Sequence, residues 1–203
     1  VLKNSWSRTV QGMKFPGAPY GLKMACGENP KRVYGSRSRS PSTRMGNFAG
    51  YRKAWIDAQE YQKKWMRFEK ALGEYETWRA NNEGESDYKE RPSPPKRNLQ
   101  METLVGVLKG EILVHNHCYR ADEMAQIIDL SREFGYQVTA FHHAVEAYKI
   151  GDLLAANNIC SAMWADWWQF KLESFDGIKE NVAMVQAAGA CAIVHSDSAT
   201  GIQ

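Results

Sequence analysis

Residues 111–143 read EILVHNHCYRADEMAQIIDLSREFGYQVTAFHH, and they alternate between two hydrophobic periods. Ile112-Leu113-Val114 is a short apolar run of strand character that leads into His115-Asn116-His117. From Ala121 to Phe134 the apolar residues Met124, Ile127, Ile128 and Leu130 recur at helical spacing, and Gly135 supplies the stop. Gln137 to Phe141 is a second strand, followed at once by His142 and His143. The alternation continues downstream. A helix is expected over 147–157, a strand over 159–164, a helix over 178–188 and a strand over 190–194. Strand starts near 112, 136, 159 and 190 are separated by 24, 23 and 31 residues, the cadence of repeated βα units around a parallel sheet.

The chain upstream is organised differently. Residues 22–27 read as a strand running into a turn at Gly27-Glu28-Asn29-Pro30. A polar, basic stretch follows to residue 46, including Ser36-Arg37-Ser38-Arg39-Ser40. One long helix is expected from about 46 to 80 and a second over 99–108. Between them, residues 81–98 carry Pro92, Pro94 and Pro95 and read as a surface loop. The whole is an α/β chain in which residues 31–110 elaborate one βα crossover.

Composition narrows the function classes. The 203 residues are 43% hydrophobic and 24% charged, a globular balance. No stretch approaches the roughly eighteen consecutive apolar residues of a membrane span. Lys plus Arg exceed Asp plus Glu by 26 to 23, too small an excess to draw the chain to nucleic acid or anionic lipid. The Ser-Arg run lacks a stacking-aromatic pattern and reads as an ordinary loop. The aromatics Trp55, Tyr61, Trp65, Phe68, Tyr75 and Trp78 of the long helix read as core or subunit-interface residues, which leaves room for a homo-oligomer. Cys26, Cys118, Cys160 and Cys191 are isolated, none in a CxxC, and read as reduced packing residues. The compartment stays open between cytoplasmic and periplasmic or secreted.

All five histidines lie beyond residue 114. Expected strands end in His117, in His143 and in the pair His195 and Asp197, and in parallel α/β folds the loops after strand C-termini form the active face. Neutral imidazoles and a carboxylate are ligands for a divalent ion. Such an ion lowers the pKa of water toward 7, and an aspartate beside it can move the proton.

The run VHNHCYRADE (114–123) resembles the fifth-strand segment of the amidohydrolase superfamily, in its imidazolonepropionase-related branch. FHHAVEAYK (141–149) resembles the sixth strand and its turn, IVHSDS (193–198) the eighth-strand end, and GLKMACGENPKRVY (21–34) the fourth-strand region. The resemblance implies a distorted (β/α)8 barrel that hydrolyses amide or other C–N bonds of a small molecule. One or two divalent ions are implied, zinc first, with iron or manganese as alternatives. It makes His117 and His143 the fifth- and sixth-strand ligands. Asp197 becomes both metal ligand and proton shuttle. Lys23 is where many members carry a carboxylated, metal-bridging lysine, and Glu28 in the next turn is the alternative bridge. His115 belongs to the fifth strand, and His142 and His195 take supporting or structural roles. Trp164, Trp167 and Trp168 stack on a ligand or cap the barrel mouth.

The superfamily's first-strand HxH has no counterpart before Lys23, which only 22 residues precede. The resemblance therefore implies an internal piece of one catalytic domain, covering about the fourth to eighth strands over residues 1–203. An open half-barrel is expected to be poorly stable or to associate. The competing readings are a catalytically inactive association module and a basic binding protein using residues 31–79.

Overall fold

The computed structural model describes residues 6–82, 89–164, 167 and 169–198. Trp168, assigned to the mouth above, lies outside them. Element order follows the hydrophobic periods. A short helix α1 (Val10–Met13) precedes β1 (Tyr20–Ala25), α2 (Glu28–Gly35), the long α3 (Arg44–Asn81) and α4 (Leu99–Leu108). Then come β2 (Ile112–Cys118), α5 (Ala121–Phe134), β3 (Val138–His143), a 3-10 turn at Ala147–Ile150 and α6 (Gly151–Ala156). β4 (Cys160–Trp164), a 3-10 turn at Leu172–Ser174, α7 (Asn181–Ala187) and β5 (Ala192–His195) complete the order.

The five strands form one parallel sheet in sequence order, β1-β2-β3-β4-β5. That is the order of consecutive strands in a (β/α)8 barrel. Because side chains alternate across a strand, one face is apolar. Leu22 and Met24 of β1, Val114 of β2, Val138 and Phe141 of β3, and Met163 of β4 pack there under α5. Met124, Ile127, Ile128 and Leu130, the residues at helical spacing, are all fully buried in that layer. Gly135 ends α5 with φ 76°, a left-handed residue whose amide and that of Tyr136 both return to the Ser131 carbonyl.

The segment expected to be a turn at 27–30 is instead the start of a helix. Gly27, at φ 79°, reverses the chain directly after β1, and α2 begins at Glu28. Pro30 is compatible with that because the first-turn amides of a helix need no intrahelical partner. The Thr43 hydroxyl caps α3 by accepting from the Gly46 amide at 2.9 Å. Over 38 residues α3 is about 57 Å long. Its buried residues, Asn47, Phe48, Trp55 and Ala58, all lie in its first half, with Trp55 packed 4.4 Å from the Tyr136 ring at a tilt of 31°. Near its middle it lies against α4, where the Tyr61 hydroxyl donates to Glu102 at 3.3 Å. Among the described residues no helix is long and apolar enough to cross a membrane.

The reading of four reduced cysteines is corrected. Cys26 is bonded to Cys118 and Cys160 to Cys191. The reason is register. Ala25 sits opposite His117, which brings the next residues of β1 and β2 together. The Cys191 carbonyl accepts from Ser161 at 2.9 Å, beside Cys160. Partners 92 and 31 residues apart in sequence cannot be seen from spacing alone. Alkylation of the denatured, unreduced protein should therefore block no thiol, and reduction should expose four. The Cys26→Ser, Cys118→Ser double variant should lose about 2–5 kcal/mol in urea denaturation.

Candidate metal centre

The face of the sheet opposite the helices carries the chemistry. Lys23 stands level with His115, Ala25 with His117, and His117 with His142. A register shift between Val114 and His115 keeps the two histidine-bearing strands in step. At the far side His195 is level with Trp164. All these positions share one parity of their strands, so the imidazoles project to a common side.

His143, directly after His142, has the opposite parity, and its backbone is left-handed, with φ 72°, followed by Ala144 at 37°. Non-glycine residues in that region carry strain that the surroundings must offset. The surroundings are specific. Ala144 donates to the Cys118 carbonyl at 3.0 Å, Glu146 donates to the Tyr119 carbonyl at 2.9 Å, and the Asn181 side chain donates to both the Ala144 and Val145 carbonyls at 3.0 Å. The turn delivers the buried His143 ring 4.5 Å from that of His117 and 5.1 Å from that of His195.

His143, His195 and Asp197 each offer one ligand atom, and those atoms lie within 4.8 Å of one another. His195 Nε2 is 3.2 Å from His143 Nδ1 and 4.0 Å from an Asp197 oxygen. The sequence reading paired His143 and Asp197 with His117 and gave His195 a supporting or structural role. The structure instead gathers His195 into the group. His117 is beside it but shares its Nε2 with the Asn29 side-chain amide at 3.1 Å. His115 and His142 form a separate pair, Nδ1 to Nε2 at 2.9 Å. Lys23 is exposed on β1 and Glu28 lines a neighbouring cavity; neither is in the three-residue group.

Burial lowers the pKa of all five imidazoles, and the positive charge of Lys23 lowers each one further. His117 and His142 fall to about 4, and His143 is shifted further. At neutral pH the rings are uncharged and keep a lone pair for a metal. Lys23, though exposed at the surface, is itself lowered by partial desolvation among its neighbours, against the pull of Asp197.

Two anchors were invisible in the sequence. Asn181, which clamps the strained turn, sits in an otherwise ordinary helix start. Asn29 reaches His117 because α2 begins where it does. That start is held by Glu173, whose carboxylate accepts from the Glu28 amide at 2.8 Å. Arg44 bridges Glu173, at 3.1 Å, and Glu123 of α5.

No protein-family model matches the chain. In sequence it is similar to the amidohydrolase tasK of Hapsidospora irregularis, 30% identical over 181 residues, which are 87% of this chain and 17% of that protein. In structure it is similar to an amidohydrolase from Thermotoga maritima, with a TM-score of 0.70 and 32% identity over 93% of this chain and 44% of the other. The chain thus spans less than half the length of either protein, and its parallel sheet is similar in sequence and in fold to part of an amidohydrolase.

Proposed function

We propose that the chain is part of a metal-dependent amidohydrolase of the imidazolonepropionase-related branch, hydrolysing a C–N bond in an amide or cyclic amide of a small molecule. Its strands β1 to β5 correspond to the fourth to eighth of a (β/α)8 barrel, and α2 to α4 to an elaboration between the fourth and fifth. The observation that carries this reading is the convergence of His143, His195 and Asp197 at the strand ends. The likeness of the chain to two amidohydrolases supports it.

The donor set fits a divalent ion. Two uncharged imidazole nitrogens and one carboxylate oxygen are the ligand types of zinc, and of iron or manganese. His117, one ring contact from His143, and Lys23 or Glu28 are the residues that would complete one or two such sites. When bound, the ion supplies Lewis acidity, which acidifies water near neutral pH and draws electrons from a carbonyl. Asp197 takes a proton from the attacking water as its oxygen bonds to the carbonyl carbon. It returns that proton to the nitrogen as the C–N bond breaks, leaving a carboxylic acid and an amine. Asn181 fixes the turn that presents His143.

Elemental analysis of the purified chain tests this. About one zinc, iron or manganese per polypeptide is expected, and a His143→Ala, His195→Ala double variant should lose it. Equal metal in both proteins, or none in either, would sink the reading.

A further inference from the structure

A cavity of about 440 Å³ opens beside the candidate centre, with Asp197 in its wall. That is a volume typical of a small-molecule site. One side is aromatic. The Trp164 ring lies 5.3 Å from Tyr119, 5.9 Å from Trp167 and 5.5 Å from Phe170. Phe170 is half-exposed at 51%, with the Lys171 ammonium 5.3 Å over its ring. Much of its polar lining comes from one helix. Glu28 and Arg32, one turn apart on α2, both line the cavity. Neither makes an ion pair among the described residues, in contrast to the other cation there: Lys171 is 2.8 Å from Glu173 and 4.0 Å above the Tyr119 ring.

These walls match a ligand of one kind. A flat apolar ring fills the aromatic side. An uncommitted guanidinium takes a carboxylate, with the fork geometry suited to two parallel hydrogen bonds. With Lys23 completing the metal site, the Glu28 carboxylate is free to accept an amide N–H. An N-acylated aromatic amino acid carries that N–H and that carboxylate on a single carbon, with the ring one methylene away. We propose that the substrate class is an N-acyl aromatic amino acid with a free carboxylate. Arg32 holds the carboxylate, and Trp164 and Phe170 hold the ring. This rests on the hydrolase reading for its chemistry and on the cavity alone for its binding.

The experiment therefore separates binding from turnover. N-acetyl-phenylalanine, its neutral C-terminal amide and N-acetyl-alanine are each titrated into the metal-loaded chain, following the tryptophan fluorescence of the cavity. Released acetate is assayed in parallel. The acid should bind about tenfold or more tighter than either comparison compound. Arg32→Gln, at an exposed position, should abolish the preference for the acid over its neutral amide and leave the preference for the ring. Phe170→Ala should do the reverse. Equal binding of all three compounds, no binding, or a charge preference that survives Arg32→Gln would overturn the proposal. Preference without acetate release would uphold the subsite and count against the hydrolase reading. Acetate release without preference would overturn the subsite alone.

Discussion

Asp197→Asn is expected to lower kcat for amide hydrolysis by about 10²–10⁴-fold, the usual contribution of a positioned proton-transfer group. Substrate binding through the aromatic and Arg32 walls should change little, so KM should stay within a few-fold of the parent value. The substitution keeps the size of the side chain and one oxygen ligand but removes the basic site. Asp197 is 4.0 Å from His195, on the strand end that also faces Lys23 electrostatically. Stopped assays with the metal content of both proteins matched would check it. A variant within tenfold of the parent in kcat would mean that the proton moves through another group. A variant that had merely lost its metal would reveal a ligand role without a proton-transfer role.

Arg44→Met is expected to cost about 3–5 kcal/mol of stability at pH 7, because it leaves two buried carboxylates without their shared cation. Arg44 reaches both Glu123 and Glu173, whose side chains are 2% and 0% exposed. In the parent the two respond differently. Burial raises the Glu123 pKa and Arg44 only partly opposes it. Burial also pushes Glu173 up, but Lys171, the Glu28 amide and Arg44 together bring it below the usual carboxylate range. The stabilising share of Glu173 is thus present above the unfolded-state pKa of about 4.3 and lost as pH falls through its lower folded value. Without Arg44 both folded pKa values rise, and an acid with a raised folded pKa destabilises most at high pH. The cost of the substitution should therefore shrink as pH falls from 7 toward 5. Urea midpoints across that range, with an unchanged m value, measure it. A cost that is small or flat with pH would show that Lys171 and the helix start suffice to hold the carboxylates. Glu173 anchors the first amide of α2, so the same variant should also loosen Asn29 and Arg32 and raise KM.

The parallel sheet was readable because its signal is local. The apolar runs at 112–114, 138–141 and 160–164, and the helical spacing of Met124, Ile127, Ile128 and Leu130, each depend on a few neighbouring residues. So did the concentration of histidine at strand ends, since a strand end and the residue after it are adjacent in the chain. The α2 helix escaped notice because Gly27, Asn29 and Pro30 carry turn chemistry and helix-start chemistry alike; the choice was made by Glu173, more than 140 positions away, capping Glu28.

By itself, then, the sequence determined a chain of βα units with metal-competent side chains at the ends of successive strands. Periodicity and residue type suffice for that. Only the tertiary structure decided which of those side chains meet. His195 joins His143 and Asp197 because β4 and β5 pair with Trp164 opposite His195 and because Asn181 holds His143 in a left-handed turn. Cys26 meets Cys118 through the register of β1 on β2, and Arg32 and Phe170 line one cavity built from segments far apart in sequence. Proximity between distant segments is set by strand register and by buried charges such as Glu173, and neither leaves a periodic mark on the chain.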